Sequence, residues 1–136
     1  AATTAGRPYP GAAGPDAAAA AARAAVGGAR AEVLLRRYGA IAAEVARFCA
    51  AGADADLIAA PGFSRREVVW LVRQRMALTL EDMILRRTGL VMTGRLTEAA
   101  LREIALVMAE ELGHPSDWAE RQVDAAARDP RILWRQ

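Results

Sequence analysis

The sequence predicts an all-α protein, an irregular bundle of about five to six helices, and three observations support this fold class. No segment alternates apolar and polar residues with the period of two that a half-buried strand requires. Serine, threonine and aspartate stand where helix N-caps are needed, and glycine or proline stands where helices must end. Apolar residues also recur at helical spacing, most regularly at Leu101, Ile104, Ala105, Met108 and Leu112.

The first half of the chain is rich in alanine, and its elements are predicted in order. Residues 1–14 are rich in Gly, Pro, Thr and Ala without periodicity, so we expect a flexible linker. The alanine run 15–25 favours a helix, which we expect to be peripheral or frayed because its small side chains bury little surface. Further helices are expected over 31–38 and 41–50. A chain of this length predicts one helical domain, residues 15–136.

A two-helix element over residues 64–90 is the centre of the predicted bundle. Ser64 and Glu67 have the spacing of a capping box at the start of a helix. In a capping box, the side chain of each residue accepts a hydrogen bond from the backbone N–H of the other. Thr79 and Asp82 repeat this pattern and predict a second helix after a short joint. Apolar residues follow each cap at helical spacing, so both helices are expected to face a core. The apolar stripe after the first cap consists of Val68, Val69, Val72 and Met76.

The remaining elements follow the central pair. Thr97 caps the regular helix that carries the apolar stripe, and Gly113 ends it. A last helix is predicted over Trp118 to Ala127. The apolar tail at residues 132–134 is expected either to dock on the bundle or to contact something outside it.

The central element also carries a resemblance to a known family. The matching positions are Glu67-Val68 through Val72-Arg73, Met76-Ala77, Thr79, Asp82 and Arg86-Arg87-Thr88, preceded by Tyr9-Pro10-Gly11-Ala12 and Arg37-Tyr38-Gly39. From about residue 8 to Leu112 the chain resembles the helical C-terminal domain of FAD-dependent glycerol-3-phosphate dehydrogenases and oxidases. Two positions depart from the family, since Arg75 replaces a usual Glu and Gly89 replaces a usual Arg.

The resemblance implies a non-catalytic accessory domain. The parent enzyme would oxidise glycerol 3-phosphate to dihydroxyacetone phosphate through FAD and pass electrons to a quinone or oxygen. Family residues for flavin and substrate lie in a large N-terminal domain, which would be the partner of this chain. We therefore assign no catalytic, cofactor-binding or metal-binding residue here, and expect the chain alone to be inactive. The parent is expected in the cytoplasm, with or without membrane association.

The residues themselves support few chemical sites. No glycine-rich turn joins a strand to a helix, as binding of a dinucleotide or flavin requires. Cys49 is expected to be a small core residue, and His114, the single histidine of the chain, is not expected to act as a ligand or base. Asp54 and Asp56 resemble the start of a calcium loop but lack its later Gly and Glu, so a capped turn is expected.

Arginines are densest in the central element, and three interpretations of this arginine cluster remain open. Its members are Arg65, Arg66, Arg73, Arg75, Arg86 and Arg87. They form a solvated face, they tie helices or domains together through planar guanidinium forks, or they bind phosphate or RNA. The net charge of +2 is too small to argue for nucleic acid. We predict structural or domain-docking roles for five residues: Trp70, Asp82, Arg86, Arg87 and Thr88.

More detailed predictions concern three of the arginines. Arg75 is expected to pair with Glu81 or Asp82, Arg86 with Asp82 at i,i+4, and Arg87 with a carboxylate or helix-end carbonyls on another helix.

Two other functions are kept as alternatives. One is a stand-alone helical module that binds a partner through Trp70 or Trp134, and the other is a weak arginine-mediated nucleic-acid binder. The sequence contains no run of about 20 apolar residues, so no membrane helix is predicted. The oligomeric state is left open.

Overall fold

The computed structural model describes residues 14–88 and 96–132, except for the side chains of Arg86 and Arg87. Within these residues there are six α-helices of nine residues or more, and the only β-type pairing is an isolated bridge between Asp56 and Ser64. The predicted all-α bundle is therefore confirmed. The chain divides into two compact units, unit 1 (Ala1–Ala53) and unit 2 (Asp54–Gln136). The predicted linker lies almost wholly outside the described residues, and the single domain over residues 15–136 stays a prediction.

Unit 1 consists of three helices. Helix α1 spans Pro15–Val26, α2 spans Gly28–Tyr38, and α3 spans Ala42–Ala50, with a 3₁₀ turn at Gly39–Ile41 before α3. Gly27 separates α1 from α2 with a φ of 85°, a conformation that glycine adopts without steric cost. Helix α1 packs against both of the other helices, most extensively against α3.

The expectation that α1 is peripheral or frayed is wrong. Ala22 is fully buried and Ala18 is 7% exposed, so this helix forms part of the core of unit 1. The physical reason is that alanine side chains are small enough for helix backbones to approach closely. The described buried residues of this unit are mostly alanine: Ala18, Ala22, Ala31, Leu34, Ala42, Ala43, Val45, Ala46 and Cys49.

Unit 2 is arranged around its longest helix. Helix α4 spans Arg65–Arg75, the single turn α5 spans Leu80–Asp82 and continues as a π-helical segment at Met83–Arg87, α6 spans Glu98–Leu112, and α7 spans Ser116–Ala127. Helix α6 packs against α4, α5 and α7, and α4 also packs against the π-helical segment. None of the helices in the described part of the chain is both long and apolar enough to cross a membrane.

The core of unit 2 uses large side chains. The predicted stripe on α6 is confirmed, with four of its residues fully buried and Leu112 partly exposed. Trp70 is 2% exposed on α4, which packs against α6, as predicted. The largest fully buried apolar side chains described in this unit are Trp70, Leu71, Leu80, Met83, Ile84, Leu101, Ile104, Met108 and Ile132.

Two details of the central element differ from the sequence prediction. Helix α4 ends at Arg75, and Met76 has left-handed backbone angles (φ 55°, ψ 38°) with 67% of its surface exposed, instead of continuing the apolar stripe. A left-handed conformation costs a non-glycine residue on the order of 1 kcal/mol. The second difference is the π-helical turn at Met83–Arg87, whose wider hydrogen-bond pattern changes the register that an α-helix would give Arg86 and Arg87.

Candidate functional site

The N-terminus of α4 is capped by two side chains. The Ser64 hydroxyl accepts a hydrogen bond from the Glu67 backbone N–H at 3.3 Å, which confirms that half of the predicted capping box. The Asp54 carboxylate accepts from the Arg66 and Ala55 backbone N–H groups, both at 2.9 Å. An acidic side chain is favoured here because backbone N–H groups at a helix start carry partial positive charge. Asp54 therefore serves as a helix cap in the turn that leads into α4.

The carboxylate of Glu103 on α6 binds the backbone of the loop that precedes α4. Glu103 accepts the backbone N–H of Ile58 at 2.8 Å and that of Ala59 at 2.7 Å. One side chain thus satisfies two consecutive backbone donors that belong to no helix. The sequence analysis missed this residue because its partners lie 44 and 45 positions away along the chain.

Trp70 and Arg75 form a cation–π contact at the end of α4. The guanidinium carbon of Arg75 lies 5.5 Å from the centroid of the indole ring. The predicted pairing of Arg75 with Glu81 or Asp82 is wrong, because neither carboxylate of this described segment forms an ion pair with it. Glu81 instead pairs with Arg131 at 2.8 Å. The left-handed residue after Arg75 redirects the chain, so the helix that follows does not continue the direction of α4.

The start of α5 is held by its own cap and by α7. Thr79 accepts from the Asp82 backbone N–H at 3.1 Å, as predicted. The Gln122 side chain accepts from the Leu80 backbone N–H at 3.0 Å, which connects α7 to the first turn of α5. Nothing in the local sequence distinguishes Gln122 from other polar residues of α7, so the sequence analysis did not identify it.

Thr88 closes the π-helical segment. Its side chain is 7% exposed, and its hydroxyl donates to the backbone carbonyl of Ile84 at 3.3 Å. Asp82 is partly exposed at the start of the same segment. The predicted roles of Arg86 and Arg87 lie outside the described residues, because their side chains are not described.

Two ion pairs join α4 to α6 on the solvent side. Arg65 pairs with Glu110, and Arg73 pairs with Glu111, whose second oxygen lies 3.3 Å from the guanidinium. The hydrogen bond and the charge of Glu111 raise the pKa of Arg73. Exposed ion pairs of this kind are individually weak but fix which faces of two helices meet. Two members of the arginine cluster therefore form ion pairs within unit 2.

An open groove of about 540 Å³ lies at the joint between α4 and α5. The Arg131 guanidinium forms one wall, held by Glu81 at 2.8 Å and by Asp129 at 2.6 Å. Its hydrogen bonds lower the pKa of Asp129 below the ordinary value of 3.8. The groove is lined by Met76, Leu78, Thr79, Glu81, Asp82, Leu85 and Arg131.

The two candidate reactive side chains, Cys49 and His114, both make packing contacts. Cys49 is 3% exposed in unit 1, as expected for a small core residue. The His114 ring stacks on Trp118 with centroids 4.7 Å apart, a contact that the sequence analysis missed. Within the described residues, no group of three or more His, Cys, Asp or Glu side chains is placed to hold a metal ion.

The described residues do not fit a flavin site. Binding of the FAD pyrophosphate uses a glycine-rich turn between a strand and a helix, where backbone N–H groups approach the phosphates. Residues 14–88 and 96–132 contain no strand that could present such a turn. No step of flavin chemistry is therefore assigned to these side chains.

The described residues form an all-α fold, and the polar side chains described above make contacts within it. Residues 2–122 match the family model described as the C-terminal domain of alpha-glycerophosphate oxidase. The match covers most of the chain, which therefore belongs to this family, and it confirms the resemblance found in the sequence. No curated protein and no solved structure matches the chain at a significant level.

Proposed function

We propose that this chain acts as the non-catalytic C-terminal domain of an enzyme that oxidises glycerol 3-phosphate to dihydroxyacetone phosphate. A separate flavin-binding domain of the parent would hold FAD and the substrate, and would pass electrons to a quinone or to oxygen. The parent would work in the cytoplasm or at a membrane surface. The observation that carries this proposal is the family match over residues 2–122.

The contacts within unit 2 support an architectural role for the predicted residues. Trp70 is buried beneath Arg75, and Thr88 is bonded to the backbone of the π-helical segment. These residues stabilise one backbone conformation of the joint between α4 and α5. We propose that this joint, together with Asp82, forms the structural framework of the domain.

Arg87 is proposed as a clamp within the same framework. A buried guanidinium must find acceptors, since an unpaired buried charge costs several kcal/mol. Glu67 is fully buried on α4, the helix that packs against the π-helical segment, so its carboxylate is the first acceptor to test. In a double-mutant cycle, Arg87→Gln and Glu67→Gln should have strongly non-additive effects on the free energy of unfolding. Additive effects would show that Glu67 is not the acceptor.

Neither alternative function gains support from a particular observation. A binding module that used Trp70 would need that indole at the surface, but it is 2% exposed. Nucleic-acid binding would use the arginine cluster, in which Arg65 and Arg73 are paired with glutamates. A titration with RNA and DNA at two salt concentrations tests this alternative, because phosphate-mediated affinity falls steeply as salt rises. Salt-sensitive binding that is lost in Arg87→Ala, with the fold retained, would favour it over the clamp.

The main proposal is tested with the purified chain. We expect a colourless protein that takes up no FAD on incubation and does not reduce a dye acceptor in the presence of glycerol 3-phosphate. Adding the flavin-binding domain of a family member provides the positive control for the assay. Stoichiometric flavin in the purified chain, or dye reduction by the chain alone, would overturn the accessory role.

A further inference from the structure

We propose that Met76 is a site of oxidation by hydrogen peroxide, which converts its thioether to the sulfoxide while the chain stays folded. Met76 directly follows the last residue of α4 and is 67% exposed. The other two methionines in the described part of the chain, Met83 and Met108, are both 0% exposed. Susceptibility of a methionine follows its exposure, so an oxidant in water reaches Met76 first.

The oxidation transfers one oxygen atom to sulfur. A sulfur lone pair of Met76 attacks one oxygen of hydrogen peroxide, the O–O bond breaks, and an S–O bond forms. Sulfur loses two electrons, and the second peroxide oxygen leaves as water with both protons. A methionine sulfoxide reductase reverses the change with electrons from a pair of thiols, which become a disulfide.

The groove around Met76 accommodates the added oxygen. Arg131 lines the same groove, and its side-chain hydrogen bonds to Asp129 and Glu81 use Nε and Nη2. Within the described residues its Nη1 donates to no acceptor, so two N–H groups remain for a further one. A thioether sulfur is only a weak acceptor, whereas a sulfoxide is polar. Oxidation therefore creates a polar group beside both water and an unused donor.

Oxidation of the buried methionines would have a different consequence. Met83 and Met108 belong to the core of unit 2, where a sulfoxide oxygen would be removed from water. Burying a polar group without a hydrogen bond destabilises the folded state. Met76 lies outside this core, so its oxidation leaves the apolar packing around α6 intact. This difference separates a tolerated modification from oxidative damage.

The proposed function offers a source of the oxidant, and this point alone rests on that function. Oxygen is one of the two electron acceptors proposed for the parent enzyme, and two-electron reduction of oxygen yields hydrogen peroxide. A chain attached to such an enzyme would meet peroxide close to where it forms. The oxidation of Met76 itself requires only peroxide, so it is tested without flavin or substrate.

The test treats the whole folded chain with dilute hydrogen peroxide and follows each methionine by peptide mapping. Tryptic cleavage after Arg75 and Arg86 places Met76 and Met83 in one peptide, and fragment ions show which sulfur carries the oxygen. Met83 is thus an internal control that shares every handling step.

We expect Met76 to react more than about tenfold faster than Met83 and Met108, because a buried sulfur reacts only when the structure opens. In the chain unfolded by urea, the three rates should agree within about twofold, since all three sulfurs are then accessible. The helical circular dichroism signal and the denaturant midpoint should be retained after oxidation at Met76. The matched control Met76→Leu should leave the slow rates of Met83 and Met108 unchanged.

Two results would overturn the proposal. The first is a Met76 that reacts no faster than Met83 in the folded chain. The second is a loss of the helical signal in step with oxidation at Met76, because the modification would then unfold the protein. Neither result bears on FAD uptake or turnover, so the proposed function is tested independently.

Discussion

The two compact units of this chain bury different kinds of side chains. Helices α1, α2 and α3 of unit 1 meet largely through alanine, whereas unit 2 buries tryptophan, leucine, isoleucine and methionine around α6. Burying a methyl-sized side chain gives about 0.8 kcal/mol, against about 1.5–3 kcal/mol for a larger apolar one. The difference shows that an alanine-rich segment can form a well-packed core, but that most of the apolar stabilisation belongs to unit 2.

The largest expected effect comes from the core of unit 2. Trp70→Ala should lower the free energy of unfolding by about 3 to 5 kcal/mol, because it removes a buried indole and leaves a cavity beneath Arg75. Denaturant unfolding followed by circular dichroism measures this loss. Trp118→Ala is the control, since Trp118 is partly exposed and should cost much less. Equal losses in the two variants would contradict the assigned core.

A smaller effect is expected when the alanine packing of unit 1 is disturbed. Ala22→Leu adds volume at a fully buried position and should cost about 1 to 3 kcal/mol through overpacking. Ala24→Leu lies two residues further along the same helix at an exposed position, and should be close to neutral. Denaturant unfolding of both variants measures the difference. If Ala22→Leu were neutral as well, α1 would be the frayed helix that the sequence first predicted.

The hydrogen bonds of Glu103 in unit 2 should contribute less to the free energy of unfolding than the buried apolar side chains of that unit. Glu103→Ala removes the acceptor of two backbone N–H groups and should cost about 1 to 2 kcal/mol, since the site is partly exposed. Hydrogen exchange at Ile58 and Ala59 should accelerate in the same variant. Glu98→Ala, which removes an exposed i,i+4 partner of Arg102, is the control and should have little effect. Unchanged exchange at both amides would contradict the role of Glu103.

The smallest effect concerns pH. Arg131 lowers the pKa of Asp129 below the ordinary 3.8, so the folded state favours the charged carboxylate. Its contribution to stability is complete above the unfolded pKa and is lost as the pH falls through the lower folded value. The difference in stability between the original chain and Asp129→Asn should therefore be constant near neutral pH and shrink below about pH 4. A difference that persists undiminished at low pH would contradict this contact.

Local signals predicted much of the fold. The caps at Ser64, Thr79 and Thr97 and the glycine that ends α6 were all identified, because each acts on backbone groups within a few residues. Periodicity identified the buried stripe of α6 for the same reason. These features need no knowledge of the tertiary structure.

Contacts between distant elements could not be predicted in the same way. Gln122 and Glu103 find their backbone partners more than 40 residues away, so nothing in their own neighbourhood marks them. Met76 was placed on an apolar stripe because its spacing fits, but the helix ends one residue earlier. Arg75 illustrates the same limit, since its direction depends on how the chain leaves α4.

The most direct test of the difference between the units is native-state hydrogen exchange on the whole chain, followed by mass spectrometry. Amides in elements that bury few large side chains open with low free energy, whereas those in a core of large apolar side chains approach the global value. We expect α1 to exchange markedly faster than α6, with α4 close to α6. Protection in α1 equal to that in α6 would contradict the account, because alanine packing would then stabilise its unit as strongly as the large side chains stabilise theirs.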